Sequence, residues 1–119
     1  MVWAMTFPMS VGATSVLLAG PPDAKSVARI LREEKPTIFY GVPTLYGMLL
    51  ASGELPKKGE HAVRLATSAG EALPADLLRR FKEATGVDIL DGLGSTEMLH
   101  IFLSNTLDNI IPGSSGKPV

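Results

Sequence analysis

The chain has 119 residues, which is enough for one compact domain. Its 11 basic and 12 acidic residues give a formal net charge of −1, so the composition offers no basic face for binding nucleic acid. A composition that is 45% hydrophobic and 19% charged indicates a globular core, and the absence of cysteine excludes disulfides, thiolate metal sites and cysteine nucleophiles. A cytoplasmic location is compatible with that absence.

Residues 1–22 carry no charged side chain. A signal peptide would need a positive start before its apolar run, and a membrane-spanning helix would not be interrupted by Pro8 and Gly12. We therefore expect this stretch to be buried core and expect no membrane partner. The abrupt apolar start without a capping residue suggests a piece of a larger domain.

Strand-like and helix-like runs alternate after this start. Residues 14–18 are rich in β-forming side chains and predict a strand that closes at the Gly-Pro-Pro turn of residues 20–22. Asp23 is a good N-cap for a helix through about Glu34. Residues 37–40 predict a short buried strand.

The second half of the chain continues this alternation. Pro43 suits the first turn of a helix that Gly53 ends, and residues 63–68 read as a strand. Residues 74–85 have apolar side chains at helical spacing, and Gly86 supplies the residue that ends this helix.

Two more strands are predicted at residues 87–90 and 101–103, followed by a loop-rich tail over residues 104–119. Strands separated by helices of about ten residues predict an α/β fold, in which βαβ units form a mainly parallel sheet flanked by helices. Residues 1–119 would then form one partial domain.

Ligands of such sheets bind where the loops leave the carboxyl ends of the strands. The first such loop covers residues 68–74, where Ala69 and Gly70 project so little that a flat ring could lie against the backbone. An ordinary strand-to-helix turn would use the same glycine and proline.

The second loop is predicted at residues 91–97. Its two glycines permit close approach of the backbone to a ligand, and Ser95 and Thr96 add hydroxyl donors for phosphate oxygens. Glu97 adds a hard carboxylate suited to Mg²⁺ bound beside a polyphosphate. A turn in which the serine and threonine cap a helix is the alternative.

Other nucleotide and nucleophile motifs do not fit this loop. Glu97 occupies the third glycine position of a dinucleotide fingerprint, which argues against a nicotinamide-dependent oxidoreductase. Neither a Walker A lysine nor a Gly-x-Ser-x-Gly elbow is present there. The two histidines, His61 and His100, are too separated for a metal cluster. A backbone carbonyl could satisfy a half-buried His100.

Three motifs resemble those of adenylate-forming enzymes. Residues 91–97 are similar to the aromatic-Gly-x-Thr-Glu signature, residues 68–74 to the adenine-side motif, and residues 39–44 to the strand and turn that carries a Val-Pro pair. The resemblance covers essentially the whole chain. It is strongest to the branch that contains benzoate-CoA and 4-hydroxybenzoate-CoA ligases.

This resemblance implies an AMP-forming aryl-CoA ligase. ATP and a small aromatic carboxylate would form an acyl-adenylate and pyrophosphate, after which the thiol of coenzyme A would take the acyl group and release AMP. The implied cofactors are ATP and Mg²⁺, with coenzyme A as co-substrate.

The resemblance also implies site residues. Thr96 would hold the α-phosphate and Glu97 would coordinate Mg²⁺, which gives both a catalytic role. The nucleotide-binding residues would be Gly70, Glu71, Ala72, Asp91, Gly92, Ser95 and Thr96. The aryl pocket would include Ala69, Gly94, Leu99, His100 and Ile101.

Departures from the family pattern limit what the chain would do alone. Leu93 stands where the signature has an aromatic residue, and we find no Ser/Thr/Gly-rich phosphate loop and no C-terminal domain with its catalytic lysine. We therefore expect a central fragment of the large N-terminal domain, inactive alone and prone to form homo-oligomers. A non-catalytic nucleotide-binding or interaction module with the same core is the alternative.

Overall fold

The computed structural model describes residues 2–119, so Met1 lies outside the described residues. Helices and strands alternate from the second helix to the third strand, as the sequence predicts. The elements are α1 (Val2–Ser10), α2 (Ala24–Glu33), β1 (Ile38–Gly41), α3 (Pro43–Ser52), β2 (Leu65–Ser68), α4 (Ala75–Thr85), β3 (Ile89–Gly94), β4 (Ile101–Ser104) and β5 (Lys117–Pro118).

The five strands form one sheet in the order β1-β2-β3-β4-β5. β1, β2 and β3 are parallel, and α3 and α4 connect them in two βαβ units. β4 and β5 extend the sheet in antiparallel fashion. The predicted α/β class with parallel βαβ units and flanking helices is confirmed, and an antiparallel edge on a parallel sheet is common in such folds.

The ends of the three central helices follow local signals in the sequence. The Asp23 carboxylate accepts a 2.9 Å hydrogen bond from the Ser26 main-chain N–H and so caps α2. Pro43 occupies the first turn of α3, and Gly53 ends that helix at φ 72°. Gly86 ends α4 in the same left-handed conformation, at φ 75°.

One hydrophobic core joins these helices to the sheet. Each of these three helices contributes buried side chains at helical spacing, and β2 and β3 contribute one apolar side chain each. The members include Val27 and Leu31 of α2, Tyr46 and Leu49 of α3, Ala66 of β2, Leu78 and Phe81 of α4, and Ile89 of β3. Burial of this apolar surface is the main force that holds the parallel strands in register.

The uncharged start of the chain differs from the prediction. Residues 14–18 form no strand, and Met5, Met9 and Leu17 are exposed in this chain. The predicted strand and the predicted burial are therefore wrong for the described residues. β-forming side chains stabilise a strand only when a neighbouring strand supplies hydrogen-bond partners, and none of the five strands of the sheet pairs with this segment. Among residues 2–119, no helix has the length and apolar character needed to cross a bilayer.

Candidate nucleotide and aryl site

The carboxyl ends of the three parallel strands lie at one edge of the sheet. Gly41, Ser68 and Asp91 are partners across β1, β2 and β3, so the chain segments that follow them start side by side. This alignment places the two loops predicted from the sequence next to each other. It is the arrangement in which parallel sheets bind ligands.

The loop predicted at residues 91–97 begins later than expected. Asp91 to Gly94 belong to β3, because residues 92–94 pair with β4 in antiparallel fashion, and the loop starts at Ser95. Gly94 is needed there, since a Cβ on it would lie 2.7 Å from the main-chain oxygen of His100. The prediction of a loop at residues 91–94 is therefore wrong, although the segment does follow the parallel part of the sheet.

Asp91 is the buried polar centre of this edge, with 5% of its surface exposed. Its Oδ2 accepts a 3.1 Å hydrogen bond from the Ser115 hydroxyl. Its Oδ1 is buried and has no hydrogen-bond partner among the described residues, and the same holds for the hydroxyl of Ser68 on the neighbouring strand. Burial raises the pKa of Asp91 above its usual value, although the hydrogen bond from the Ser115 hydroxyl partly opposes that shift.

The loop after β2 is anchored at one end and open at the other. Leu73 is 3% exposed and packs in the core, whereas Gly70, Glu71 and Ala72 are exposed. Gly70 has φ +91°, a conformation that favours glycine, and a Cβ added there would meet only the Val42 side chain, at 3.9 Å. These three exposed residues are the ones that the family resemblance assigns to the adenine ring.

The connection from β3 to β4 is a turn whose polar side chains face solvent. The Met98 main-chain N–H donates to the Ser95 hydroxyl at 3.3 Å, and Leu99 has φ 63°. Thr96 and Glu97 are exposed at the tip of the turn. No helix follows, so the alternative in which Ser and Thr cap a helix does not hold, and the two side chains stay accessible to a ligand.

A single carboxylate at this tip fits one mode of Mg²⁺ binding. The described residues contain no group of three or more His, Asp or Glu side chains that could hold a metal by themselves. Mg²⁺ in phosphate-transfer sites is held by one or two carboxylates together with substrate phosphates. Glu97 matches that pattern, with Ser95 and Thr96 beside it as hydroxyl donors.

An open cleft of about 240 Å³ lies beside the β3–β4 connection. Its lining is mainly aromatic and aliphatic, and it includes Phe7, Tyr40, His100, Ile101, Ser104 and Val119. The rings of Phe7 and His100 meet edge to face, with centroids 4.7 Å apart. The His100 Nδ1 lies 3.1 Å from the carbonyl oxygen of Ile101.

Two residues predicted for the aryl pocket, His100 and Ile101, line this cleft. Ala69 and Gly94 are not in its lining, and Leu99 is 81% exposed. Sequence reasoning missed Phe7, Tyr40, Ser104 and Val119. Tyr40 stood inside the motif of residues 39–44 and could have been found there, whereas Phe7 reaches the cleft only through the tertiary fold.

The carboxyl edge of this α/β sheet thus brings together an exposed glycine loop, a hydroxyl-bearing turn and an apolar cleft. The chain belongs to the family of AMP-binding enzymes, whose family model matches residues 1–119. The predicted resemblance to adenylate-forming enzymes is thereby confirmed.

The chain is 57% identical to the benzoate–CoA ligase of Thauera aromatica over 115 residues, which are 97% of this chain and 22% of that protein. It is 45% identical to a 4-hydroxybenzoate–CoA/benzoate–CoA ligase of Rhodopseudomonas palustris, covering 98% of this chain and 22% of the relative. The chain therefore spans about a fifth of the length of these curated relatives.

Solved structures show the same likeness. A benzoate CoA ligase from Burkholderia xenovorans LB400 superposes with a TM-score of 0.94 at 52% identity, covering 98% of this chain and 24% of that one. An anthranilate CoA ligase in complex with anthranoyl-AMP superposes with a TM-score of 0.89 at 49% identity, covering 98% and 23% of the two chains.

Proposed function

We propose that the chain is a central segment of the large N-terminal domain of an AMP-forming aryl-CoA ligase. The observation that carries this proposal is the 57% identity to a benzoate–CoA ligase along 97% of the chain. The parent enzyme would activate benzoate or a hydroxybenzoate with ATP, forming an acyl-adenylate and pyrophosphate. Coenzyme A would then take the acyl group, and AMP would leave.

The exposed loop after β2 supports a role in binding the adenine ring. Gly70, Glu71 and Ala72 present main-chain groups and a nearly flat surface to solvent, and a ring can lie against such a surface. Asp91 and Gly92 would lie at the edge of that ring, since Asp91 is the β3 partner of the residue that precedes this loop.

The turn at residues 95–100 supports a role in binding phosphate and metal. The hydroxyls of Ser95 and Thr96 would donate to phosphate oxygens, and Glu97 would hold Mg²⁺ together with those oxygens. When bound, Mg²⁺ would stabilise negative charge on the departing pyrophosphate. The contribution of this chain is to hold donors and a carboxylate at the place where that charge develops.

The cleft supports an aromatic substrate. Tyr40, Ile101 and the Phe7–His100 pair line an open, mainly apolar cleft of about 240 Å³, which suits a benzene ring. A carboxylate on that ring would need a polar neighbour, and His100 supplies one. Ala69, Gly94 and Leu99 stay proposed pocket residues.

Three further expectations belong to this proposal. Residues 1–119 would be one partial domain, without ligase activity alone because the phosphate loop and the C-terminal domain lie outside the chain. The parent enzyme would act in the cytoplasm on small molecules, in aromatic acid degradation, without a nucleic-acid or membrane partner. The isolated chain would self-associate through its exposed apolar side chains, and a monomer in light scattering would contradict that.

An exchange experiment tests the proposal. Residues 1–119 replace the matching segment of the Thauera aromatica benzoate–CoA ligase, and benzoate-dependent AMP formation is measured in this exchange ligase. We expect activity with benzoate and ATP, and none from the 119-residue chain alone. An exchange ligase that folds but forms no AMP with benzoate or a hydroxybenzoate would count against the proposal.

Glu97→Ala then isolates the metal role. Because Glu97 is exposed, this change should leave the free energy of unfolding within about 0.5 kcal/mol of that of the unsubstituted protein. Magnesium-dependent binding of ATP, measured by titration calorimetry, should fall at least about tenfold. The matched control is Glu54→Ala, another exposed carboxylate outside the site, which should change neither quantity. Equal binding by Glu97→Ala and Glu54→Ala would remove Glu97 from the proposed metal site.

A further inference from the structure

A network of buried hydrogen bonds connects Asp91 to the tail that follows β4. Asn105 is 2% exposed and lies directly after β4. Its main-chain N–H donates to the Asp91 carbonyl at 3.0 Å, so the two residues are held backbone to backbone. A buried polar side chain of this kind needs partners for both its amide nitrogen and its amide oxygen.

The Asn105 side-chain amide bonds to the tail through both its nitrogen and its oxygen, and its Nδ2 also donates a longer hydrogen bond of 3.4 Å to the Asp91 carbonyl. Its Nδ2 donates to the Ser114 carbonyl at 2.6 Å, and its Oδ1 accepts from the Ile111 N–H at 3.1 Å. A carbonyl only accepts and an N–H only donates, so the amide has one orientation here. An aspartate or a leucine of similar size could not make both bonds.

The residue after Ser114 touches the candidate site. The Ser115 hydroxyl donates to Asp91 Oδ2 at 3.1 Å, while Asp91 Oδ1 stays buried without a partner in the described part of the chain. Asn105 thus fixes the main chain on either side of this contact: the Asp91 backbone on one side and the Ser114–Ser115 backbone on the other. One carboxylate oxygen is fixed, and the other is left for a donor.

We propose that Asn105 is a positioning residue that acts through Ser115 to fix the Asp91 carboxylate as an acceptor for the amino group of the nucleotide base. The proposal rests on the proposed function, which puts an adenine ring beside Asp91. A carboxylate whose position is fixed through one oxygen can accept a hydrogen bond from an amino group with the other. It therefore favours a base that carries an amino group over a base that lacks one. Base selectivity would therefore depend on Asn105 and Ser115, although neither residue would touch the base.

The test compares ATP with purine riboside triphosphate, which is ATP without the 6-amino group. The preference for ATP is measured as a ratio of kcat/KM values in the exchange ligase and as a ratio of affinities for the 119-residue chain. Ser115→Ala should lower this ratio roughly tenfold by weakening use of ATP while leaving use of the analogue nearly unchanged. Ser115→Thr keeps the hydroxyl and should retain the ratio.

Asn105→Ala should lower the ratio as Ser115→Ala does, and the double variant should lower it no further, because both residues act through one contact. Thr106→Ala, an exposed change next in sequence, is the control and should leave the ratio unchanged. If Asn105→Ala does not fold, the comparison of Ser115→Ala with Ser115→Thr decides alone.

Equal losses with ATP and the analogue would mean a structural role only, and additive losses in the double variant would mean independent effects. Either result overturns the inference while leaving the proposed function intact. If the exchange ligase shows no activity with ATP and the 119-residue chain does not bind ATP, the proposed function fails, and the inference fails with it.

Discussion

The hydroxyl of Tyr46 donates a 2.6 Å hydrogen bond to the main-chain carbonyl of Thr67, which ties α3 to the end of β2 just before the loop of residues 69–74. Tyr46 is fully buried, and its ring meets Phe39 and Phe81 edge to face. Gly41 makes room for this ring, since a Cβ there would lie 2.9 Å from the Tyr46 ring. One side chain thus supports two of the loops at the sheet edge.

Tyr46→Phe removes this hydrogen bond but keeps the ring. We expect a loss of about 1–3 kcal/mol in the free energy of unfolding, because a buried polar group loses its partner. Urea denaturation measures it. Thr44→Ala, an exposed change on the same helix, is the control and should alter stability little.

The same phenol predicts an alkaline limit to stability. Burial raises the pKa of Tyr46 well above its usual value, so the folded chain keeps this proton where the unfolded chain loses it. The contribution is complete below about pH 10, the pKa of an unfolded tyrosine, and is lost progressively as the pH rises further. Between pH 8 and 11, the free energy of unfolding should fall more steeply for the unsubstituted chain than for Tyr46→Phe. The same pH dependence in both proteins would contradict this.

Asp91→Asn should stabilise the chain at neutral pH. Burial raises the pKa of Asp91, so its stabilising contribution is complete below about pH 4, where unfolded aspartate is protonated, and is lost as the pH rises through the folded-state pKa. Above that pH the ionised form carries a burial cost that asparagine lacks. The variant should therefore unfold at a higher temperature at pH 7, with a smaller advantage at pH 4.

The control for this prediction is Asp108→Asn, which removes an exposed carboxylate and should change unfolding little at either pH. A loss of stability in Asp91→Asn that is equal at pH 7 and pH 4 would mean that the hydrogen bond from Ser115 matters more than the burial of charge.

Substitution of alanine for glycine should change stability in opposite directions at Gly94 and Gly47. Gly94→Ala brings a Cβ to 2.7 Å from a main-chain oxygen in the β3–β4 pair, so we expect a loss of about 1–3 kcal/mol. Gly47→Ala lies inside α3, where the nearest side-chain atom to an added Cβ is 3.9 Å away, and should gain about 0.5–1 kcal/mol from helix propensity. Thermal unfolding of both variants tests the pair, and equal shifts would contradict the steric explanation.

Asp23→Ala should lower stability by removing the α2 cap. The Asp23 carboxylate accepts from the Ser26 hydroxyl at 2.6 Å and from the Ser26 N–H at 2.9 Å, and these bonds hold the pKa of Asp23 below its usual value. This contribution is present above about pH 4 and is lost as the pH falls through the folded-state pKa. Asp23→Asn keeps a capping oxygen and should lose the pH dependence, which circular dichroism at pH 7 and pH 3 would show.

Local signals explain which elements the sequence could predict. The helix ends at Asp23, Pro43, Gly53 and Gly86 depend on single residues and their neighbours, so all four were predictable. The parallel strands followed from buried apolar runs between those helices.

The remaining features depend on contacts between distant segments. Residues 14–18 have strand-forming side chains but no partner strand, and residues 91–94 form a strand only because β4 pairs with them. Phe7 meets His100, and Asn105 meets Ser114, through the tertiary fold alone. The periodicity and composition of a local segment do not predict such contacts between distant residues.

Every strand of the described sheet pairs only with its neighbours in the chain, since the spatial order β1 to β5 repeats the sequence order. Each pairing can therefore form as soon as the next strand leaves the ribosome, and no strand must wait for a partner from far along the chain. Loops closed by such pairings are short, which lowers the entropy lost in forming them. The sheet edge formed by Gly41, Ser68 and Asp91 would therefore assemble in the direction of synthesis, before β4 and β5 are added.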